Sequence, residues 1–195
     1  MEPGKFYHLY NHANGSENLF RSQENYRYFL SRYKHFIDPI ADTYSYCLMP
    51  NHIHFLVQLK NEVALEATFG KFETFQKLEA KLSKQFANLF SSYTQAYNKM
   101  YSRRGSLFIP NFKRSEITDD TYLTTVIVYI HRNPVHHGFT IDWTKWRWSS
   151  YQTILSEKPT SLKREEVLKW FGNKDEFFKL HRDEKLSKSL ELLES

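Results

Sequence analysis

The sequence predicts one main domain of the α+β class. A strand, a helix and two further strands follow one another within residues 1–59, and a long amphipathic helix, a fourth strand and more helices come after them. A chain of 195 residues is long enough to close one sizeable core. We therefore expect helices that pack on one sheet.

The first two elements are a strand and an amphipathic helix. Lys5–Tyr10 is the predicted strand, and the loop Asn11–Ser16 ends it. From Gln23 to Ile37, apolar residues recur at helical spacing, and Pro39 stops the run. This helix is expected to bury one face.

A hairpin follows, and its second strand carries the most informative motif of the chain. Tyr44–Met49 and His52–Leu59 are rich in β-forming residues and are separated by Pro50-Asn51, which predicts two antiparallel strands. Side chains two residues apart on a strand leave the same face, so His52 and His54 should point together. Two imidazoles on one face can bind a divalent metal. The alternative is a pair of solvated histidines on an edge strand.

The next segment is expected to hold a long helix and the fourth strand. Residues 61–81 are charged and weakly patterned, and aromatic residues then mark a helix that begins near Ser83 and continues to Tyr101. Its aromatic stripe fits core packing better than base stacking. Phe112–Ile117 is the predicted fourth strand.

A further helix is predicted to begin at Thr118, which has the form of an N-cap. Asp119 and Asp120 would occupy its first turn, where negative charge is favourable against the helix dipole. The helix should run to about Arg132 and end at Asn133-Pro134, because the residue before a proline is disfavoured in the α region.

The C-terminal part is predicted as a polar connector followed by two short helices. Ser161–Trp170 and Asn173–Leu192 have helical patterns. Asn173 and Glu176 have the spacing of a capping box at the start of the second helix.

Two polar residues of the helix that follows the fourth strand are candidate site residues. At about 100° per residue, Tyr129 and Asn133 lie one turn apart on the stripe that also holds Tyr122 and Val126. They are expected at the edge of the buried face, shielded from bulk water but within reach of a substrate. His131 falls on the opposite side and is expected to be solvated.

A tyrosine hydroxyl in such a position can attack a phosphodiester. A phenol, with a pKa of about 10, is a better nucleophile and leaving group than a serine hydroxyl, so a phosphotyrosine link can form and be reversed. A metal on His52 and His54 would polarise the phosphate and stabilise the departing oxygen, and the Asn133 amide oxygen could complete the metal shell. The alternative is that Tyr129 is an ordinary half-buried tyrosine and that Asn133 closes the helix.

Composition predicts a polyanionic partner. The net charge is +5, the sequence pI is about 9.1 and 17% of the residues are aromatic, which suits single-stranded nucleic acid. A mildly basic enzyme with an aromatic core is the alternative. No apolar run is long enough for a membrane span, and the N-terminus has no apolar signal region, so neither a membrane nor secretion is expected. The single Cys47 cannot form an internal disulfide and fits a reducing cytoplasm.

Two motifs, in this order, resemble the single-tyrosine HUH transposases, and most closely the REP-associated tyrosine transposases. They are Met49-Pro50-Asn51-His52-Ile53-His54 and, far downstream, Tyr129-Ile130-His131-Arg132-Asn133-Pro134-Val135-His136-His137-Gly138. Further similar segments are Tyr7-His8-Leu9-Tyr10-Asn11, Arg104-Gly105-Ser106-Leu107-Phe108, Phe112-Lys113-Arg114 and Trp146-Arg147-Trp148-Ser149-Ser150-Tyr151. The similarity covers residues 5–151, and the order and spacing of the motifs make it specific.

The resemblance implies a fold and a division of the chain. The fold would be a ferredoxin-like (RRM-like) central antiparallel sheet with helices packed on it. Residues 1–155 would form the catalytic domain, with a helical insertion around 61–101, and residues 156–195 would form a helical C-terminal extension.

The resemblance also implies an activity. Tyr129 would be the nucleophile, and His52, His54 and Asn133 would bind Mg²⁺ or Mn²⁺. The family substrates are single-stranded DNAs with short hairpins, cut to leave a 5′-phosphotyrosine and a free 3′ hydroxyl. The family includes monomers and dimers that exchange the tyrosine helix, so a homodimer is one expectation. The chain is expected in the bacterial cytoplasm, associated with the nucleoid.

Polar and basic residues beside the first and fourth strands are the predicted DNA contacts. They are Asn11, His12, Arg103, Arg104, Lys113 and Arg114. Two alternatives to a strand transferase stay open. One is a nucleic-acid-binding module that does not cut, and the other is a metal phosphoesterase in which water attacks instead of Tyr129.

Overall fold

The computed structural model describes residues 1–119 and 121–183 and contains a four-stranded antiparallel sheet. Its strands are β1 (Phe6–His12), β2 (Ala41–Leu48), β3 (His52–Leu59) and β4 (Lys113–Ile117). They lie in the order β2-β3-β1-β4, and each pair of neighbours is antiparallel. This is the strand order of a ferredoxin-like sheet, so the predicted α+β fold is confirmed.

The described part of the chain also holds seven α-helices and a short 3₁₀ turn. The helices are α1 (Gln23–Ile37), α2 (Glu62–Phe69), α3 (Phe75–Met100), α4 (Thr121–His136), α5 (Tyr151–Leu155), α6 (Arg164–Phe171) and α7 (Lys174–Arg182), and the 3₁₀ turn is Trp143–Lys145.

Different helices cover the two faces of the sheet. Along β3, Ile53 and Phe55 belong to a core that is shared with α1 and α3. Leu56 belongs to a second core with α4, α6 and α7. Side chains alternate between the faces of a strand, so His52 and His54 share the face of Leu56 and look toward α4.

The first strand is longer than predicted, whereas α1 and β3 have the predicted bounds. Asn11 and His12 were predicted in a loop, but they pair with Ile53 and His52 of β3. The register of the neighbouring strand, and not the local turn signal, therefore decides where β1 ends.

The long helix α3 begins at Phe75 rather than near Ser83. Leu78 and Leu82 are buried and extend its apolar stripe toward the N-terminus. Charged residues around these two leucines weaken the apolar pattern in the sequence. The burial of the leucines in the core stabilises the additional helical turns from Phe75.

The start of α4 was predicted wrongly. Thr118 was expected to be its N-cap, but β4 stays paired with β1 up to Ile117, so the chain still has to turn before the helix begins at Thr121. The Tyr122 backbone N–H donates to the Asp119 carbonyl oxygen at 2.9 Å. Asp120, predicted in the first turn, lies outside the described residues.

The end of α4 was also predicted wrongly. The helix runs to His136 and includes Pro134, which was expected to stop it. It ends in a Schellman motif, in which the Phe139 N–H donates to the Pro134 carbonyl oxygen at 2.8 Å and Gly138 adopts a left-handed conformation with φ 71°. This extra turn keeps Asn133 inside the helix.

The predicted C-terminal helices are present as α6 and α7. Asn173 caps α7 by accepting a hydrogen bond from the Glu176 backbone N–H at 2.9 Å, which is the Asn173 half of the predicted capping box. Residues 184–192 of the second predicted helix lie outside the described residues. Cys47 is a free, buried cysteine. None of the described helices is both long enough and apolar enough to cross a membrane.

Candidate active site

The histidines of β3 lie between the sheet and α4. In the neighbouring strand, His12 lies opposite His52 and Tyr10 lies opposite His54. The His12 and His52 rings are stacked, with their centroids 4.8 Å apart. His52 and His54 are fully buried, and β3 is a central strand. The alternative of solvated histidines on an edge strand is therefore excluded.

His52 is held on both sides by amide groups. Its Nδ1 lies 2.7 Å from the Asn51 side-chain oxygen, and because that oxygen only accepts, Nδ1 carries the proton. Nε2 is then an acceptor, and it faces the Asn133 side-chain oxygen at 3.2 Å. The Asn133 Nδ2 atom is buried and has no hydrogen-bond partner within the described part of the chain. Two acceptors in this arrangement can be bridged by a bound cation.

His54 is held by a histidine of β1. His8 Nε2 lies 3.0 Å from His54 Nδ1, and the two ring planes are nearly parallel, 16° apart, with centroids separated by 5.2 Å. Burial, followed by the charge of His8, lowers the pKa of His54 well below its usual range. The ring is therefore neutral near pH 7, which is the form that binds a metal. If His54 donates from Nδ1, its Nε2 keeps the lone pair for a metal.

Tyr129 of the same chain packs against these rings. It meets the His54 ring edge-to-face with centroids 5.7 Å apart, and the His8 ring in the same manner at 5.8 Å. Tyr129 and Asn133 were predicted at the edge of the buried face, but they are only 4% and 0% exposed. A larger second core than the sequence indicated, to which α6 and α7 contribute, encloses α4. The Tyr129 side chain is thus almost entirely enclosed by protein.

The donor set at this site fits a divalent metal ion. Across residues 1–119 and 121–183, no three histidine, cysteine or acidic side chains form a metal-binding group. A metal on His52 and His54 would therefore need oxygen ligands, and the Asn133 amide oxygen is placed to be one. Imidazole ligands suit Mn²⁺ better than the harder Mg²⁺.

Two histidines of this site, His8 and His137, were not predicted from the sequence. His8 precedes Tyr10 by two residues and shares its face of β1, a period-2 signal that could have found it. The His137 ring lies 4.4 Å from the His52 ring. His137 was overlooked because the helix was expected to end at Pro134.

The predicted DNA contacts on the strands divide between the two faces of the sheet. His12 and Lys113 lie on the face of Tyr129; Lys113 pairs with Tyr10, and its amine lies 5.9 Å from the Tyr10 ring centroid. Asn11 and Arg114 lie on the opposite face and line a cavity beside α3. The structure therefore places only the first pair on the face of the sheet on which the candidate nucleophile packs.

The other two predicted contacts, Arg103 and Arg104, lie in the loop after α3. The Arg103 guanidinium donates to the Glu17 carboxylate at 2.9 Å and to the carbonyl oxygens of Gly105 and Ser106 at 3.2 and 2.8 Å. These bonds stabilise the loop. Arg104 is exposed, and its contact with DNA stays a prediction.

The prediction that His131 is solvated was wrong. His131 is fully buried, with Nδ1 2.8 Å from His181 Nε2 and Nε2 2.7 Å from the Ser150 hydroxyl. His181 Nδ1 donates to the Phe177 carbonyl oxygen at 2.7 Å, so its Nε2 accepts from His131. Burial lowers the pKa of both rings, that of His181 to about 4. This chain of hydrogen bonds fastens α7 to the helix that carries Tyr129, a contact that helix periodicity cannot reveal.

Comparisons with known proteins agree with the motifs. No protein-family model matches the chain. A Haemophilus influenzae protein assigned as a REP-associated tyrosine transposase is 28% identical over 113 residues, which are 56% of this chain and 58% of that protein. The match therefore spans less than two thirds of that relative. A solved structure, described as a REP-associated tyrosine transposase bound to a REP hairpin, has a TM-score of 0.56 and 18% identity and covers 82% of this chain and 84% of that chain. Both comparisons support the predicted family resemblance.

At this level of identity, the structural similarity to a REP-associated tyrosine transposase establishes the fold. The arrangement of His52, His54, Tyr129 and Asn133 is an observation on this chain itself.

Proposed function

We propose that this protein is a metal-dependent DNA strand transferase of the transposase type, which cuts and rejoins single-stranded DNA through Tyr129. One observation carries the proposal: the Tyr129 ring lies edge-to-face with the His54 ring, at 5.7 Å between centroids, although the two residues are far apart in the sequence. Because they meet within one chain, the proposal needs no second copy. A homodimer stays a prediction.

Single-stranded DNA that contains a hairpin is the proposed substrate. The similar solved structure is described as bound to a REP hairpin. The net charge of +5 favours a polyanionic partner. Lys113, on the face of the histidines, and the exposed Arg104 provide cations for backbone phosphates.

The proposed step is attack by the Tyr129 oxygen on the phosphorus of a phosphodiester. The new oxygen–phosphorus bond forms as the bond to the 3′ oxygen breaks, which leaves a 5′-phosphotyrosine and a 3′ oxygen that takes up a proton. The phenol loses its own proton in the same step. Attack by a 3′ hydroxyl on the phosphotyrosine reverses the reaction and joins a strand without ATP.

The histidines and Asn133 would hold the metal in this proposal. Asn51 holds the proton of His52 on Nδ1, and in this proposal His54 donates from Nδ1 to His8, so that the Nε2 lone pairs of both rings would bind the ion. When bound, a divalent ion supplies Lewis-acid polarisation of the scissile phosphate. These residues are buried, so a phosphate bound among them would be shielded from bulk water, which strengthens electrostatic interactions.

The proposal predicts a covalent adduct between protein and DNA. Labelled hairpin-containing single-stranded DNA, incubated with the protein and Mn²⁺, should give an adduct that survives SDS. Tyr129→Phe should give none, because no phenol oxygen remains at the site. Tyr122→Phe removes a phenol from the same stripe of α4 and should form as much adduct as the wild type, as measured by gel electrophoresis.

The two alternative functions give different results in this assay. Cleavage that survives in Tyr129→Phe would identify a phosphoesterase in which water attacks. Binding of DNA with neither cleavage nor adduct in the wild type would identify a binding module. Either outcome excludes Tyr129 as the nucleophile.

Replacing His8 with phenylalanine is expected to weaken Mn²⁺ binding about 10- to 100-fold. Phenylalanine keeps an aromatic ring beside His54 but cannot accept a hydrogen bond from its Nδ1. His8→Gln offers an amide oxygen in the region of the lost Nε2 and should restore most of the affinity. Calorimetric titration with Mn²⁺ measures both effects. Equal affinity in the wild type and in His8→Phe would show that His8 does not orient His54.

A further inference from the structure

We propose that the cavity on the opposite face of the sheet from Tyr129 binds one unstacked base of the DNA strand. The inference rests on the proposed function in taking DNA as the partner. The cavity has a volume of about 520 Å³ and lies between α3 and residues 106–114. This volume lies within the range of sites that bind small organic groups.

The residues around the cavity combine aromatic rings, amides and a cation. Phe90 and Phe112 are half-buried in its wall, with ring centroids 5.8 Å apart. Gln95 and Arg114 contribute an amide and a guanidinium. Asn111, which also lines the cavity, adopts a left-handed conformation with φ 62°, which is uncommon for a residue other than glycine. Aromatic faces and amides are the groups with which proteins hold unpaired bases.

Asn11 is the residue that identifies the cavity as a binding site. It is a polar side chain that is only 5% exposed, and it lines the cavity. Its oxygen accepts a hydrogen bond from the His12 backbone N–H at 2.9 Å, so the orientation of the amide is set. Within the described residues, its Nδ2 donates to no protein atom, and we assign this donor to a ligand in the cavity that Asn11 lines. The carbonyl oxygens and ring nitrogens of bases are acceptors for such a donor.

The cavity is connected to the catalytic face through β1. Asn11 and His12 are consecutive, so their side chains leave opposite faces of the strand, and His12 stacks on His52. On the rim of the cavity, the Ile109 N–H donates to the His12 carbonyl oxygen at 2.9 Å. A DNA strand that crosses the end of β1 can thus place a phosphate near Tyr129 and a nearby base in the cavity. The cavity would then select the sequence next to the cleavage position.

Filling the cavity tests this proposal without removing any core contact. Ala87 is exposed on α3 and lines the cavity, so Ala87→Trp would occupy it. Ala80→Trp is the matched control, because Ala80 is exposed on the same helix but is not among the lining residues. Fluorescence anisotropy measures the affinity for a labelled hairpin DNA with a single-stranded tail, in which each tail base is replaced in turn by an abasic site.

In the wild type and in Ala80→Trp, loss of one particular tail base should weaken binding about 10-fold. Ala87→Trp should bind the intact DNA about 10-fold more weakly, and the abasic site should not weaken its binding further. The substitution in the protein and the abasic site in the DNA remove the same contact. Abasic sites that affect the wild type and Ala87→Trp equally at every position would overturn the proposal. The proposal would also be overturned if a deoxynucleoside monophosphate bound to the wild type but not to Ala87→Trp, while no abasic site in the DNA changed the affinity. The cavity would then bind a free nucleotide and not a base of the DNA strand.

Adduct formation by the wild type separates this inference from the proposed function. If one tail base matters as expected but no adduct forms with Mn²⁺, the cavity assignment stands and the strand-transferase proposal fails. If an adduct forms but no tail base depends on the cavity, the strand transferase stands and the base-binding cavity is rejected.

Discussion

His52→Ala is expected to lower the rate of adduct formation on the order of 10³-fold in the presence of Mn²⁺. His52 is at the centre of the candidate site: its Nε2 faces the Asn133 oxygen at 3.2 Å, and its ring stacks on His12. In the proposed mechanism its loss removes one of two imidazole ligands of the metal, so charge that develops on the departing 3′ oxygen loses its stabilisation. The affinity for DNA should change far less, because the basic groups that are proposed to bind phosphates are retained.

The rate is measured under single-turnover conditions by gel electrophoresis, and DNA affinity by anisotropy. His35→Ala is the matched control, because His35 is an exposed histidine of α1. Removing a buried ring also leaves a small void, so urea unfolding should show that the variant is still folded at the assay temperature. A folded His52→Ala protein that forms the adduct at the wild-type rate would contradict a metal role for the histidine pair.

The free energy of unfolding should fall by about 2 kcal/mol between about pH 7.5 and pH 5 because of His181 alone. Burial lowers the pKa of His181 from 6.5 to about 4, so the folded protein keeps this ring neutral while the unfolded chain protonates it. Below pH 6.5 the unfolded state binds more protons, and stability is lost as the pH falls toward 4. Above pH 6.5 the full contribution is present. The lowered pKa of His131 acts in the same direction.

Urea unfolding at the two pH values measures this effect. His181→Gln removes the titrating ring and should reduce the pH dependence by the same amount, whereas His35→Gln, at an exposed position, should leave it unchanged. If His181→Gln keeps the full pH dependence of the wild type, the burial of His181 against His131 is not the cause.

Elements with a strong local pattern were predicted with correct bounds. The apolar residues of α1 repeat at helical spacing up to Ile37, and Pro39 follows. The β-forming run of β3 begins and ends where its composition changes. In both cases the pattern reflects burial on one or both faces, which the spacing of apolar residues records directly.

The bounds of α4 were not predictable in the same way. Its start depends on how far β4 pairs with β1, which is a contact between residues that are far apart in the chain. Its end has a local signal, since Gly138 is well suited to a left-handed cap, but Pro134 was given more weight. A proline in the last turn costs the helix one donor, and the glycine cap then ends it.

The candidate site was predicted in part. The spacing of His52 and His54 placed both rings on one face of a strand, and helix periodicity placed Tyr129 one turn from Asn133. Neither the strand spacing nor the helix spacing shows that β3 and α4 lie in contact. His8 was missed because its role depends on strand pairing, which brings it 3.0 Å from His54.

The amino-acid sequence determined the types of the main elements, the α+β class and the residues that share each local face. The reason is that the periods of strands and helices are short-range properties. The folded chain decided which faces meet, how deeply Tyr129 is buried and that His131 bonds to His181. It also decided that Asn11 faces a cavity away from the histidines. These features arise from contacts between distant segments, whose energies depend on packing in three dimensions and leave no periodic trace along the chain.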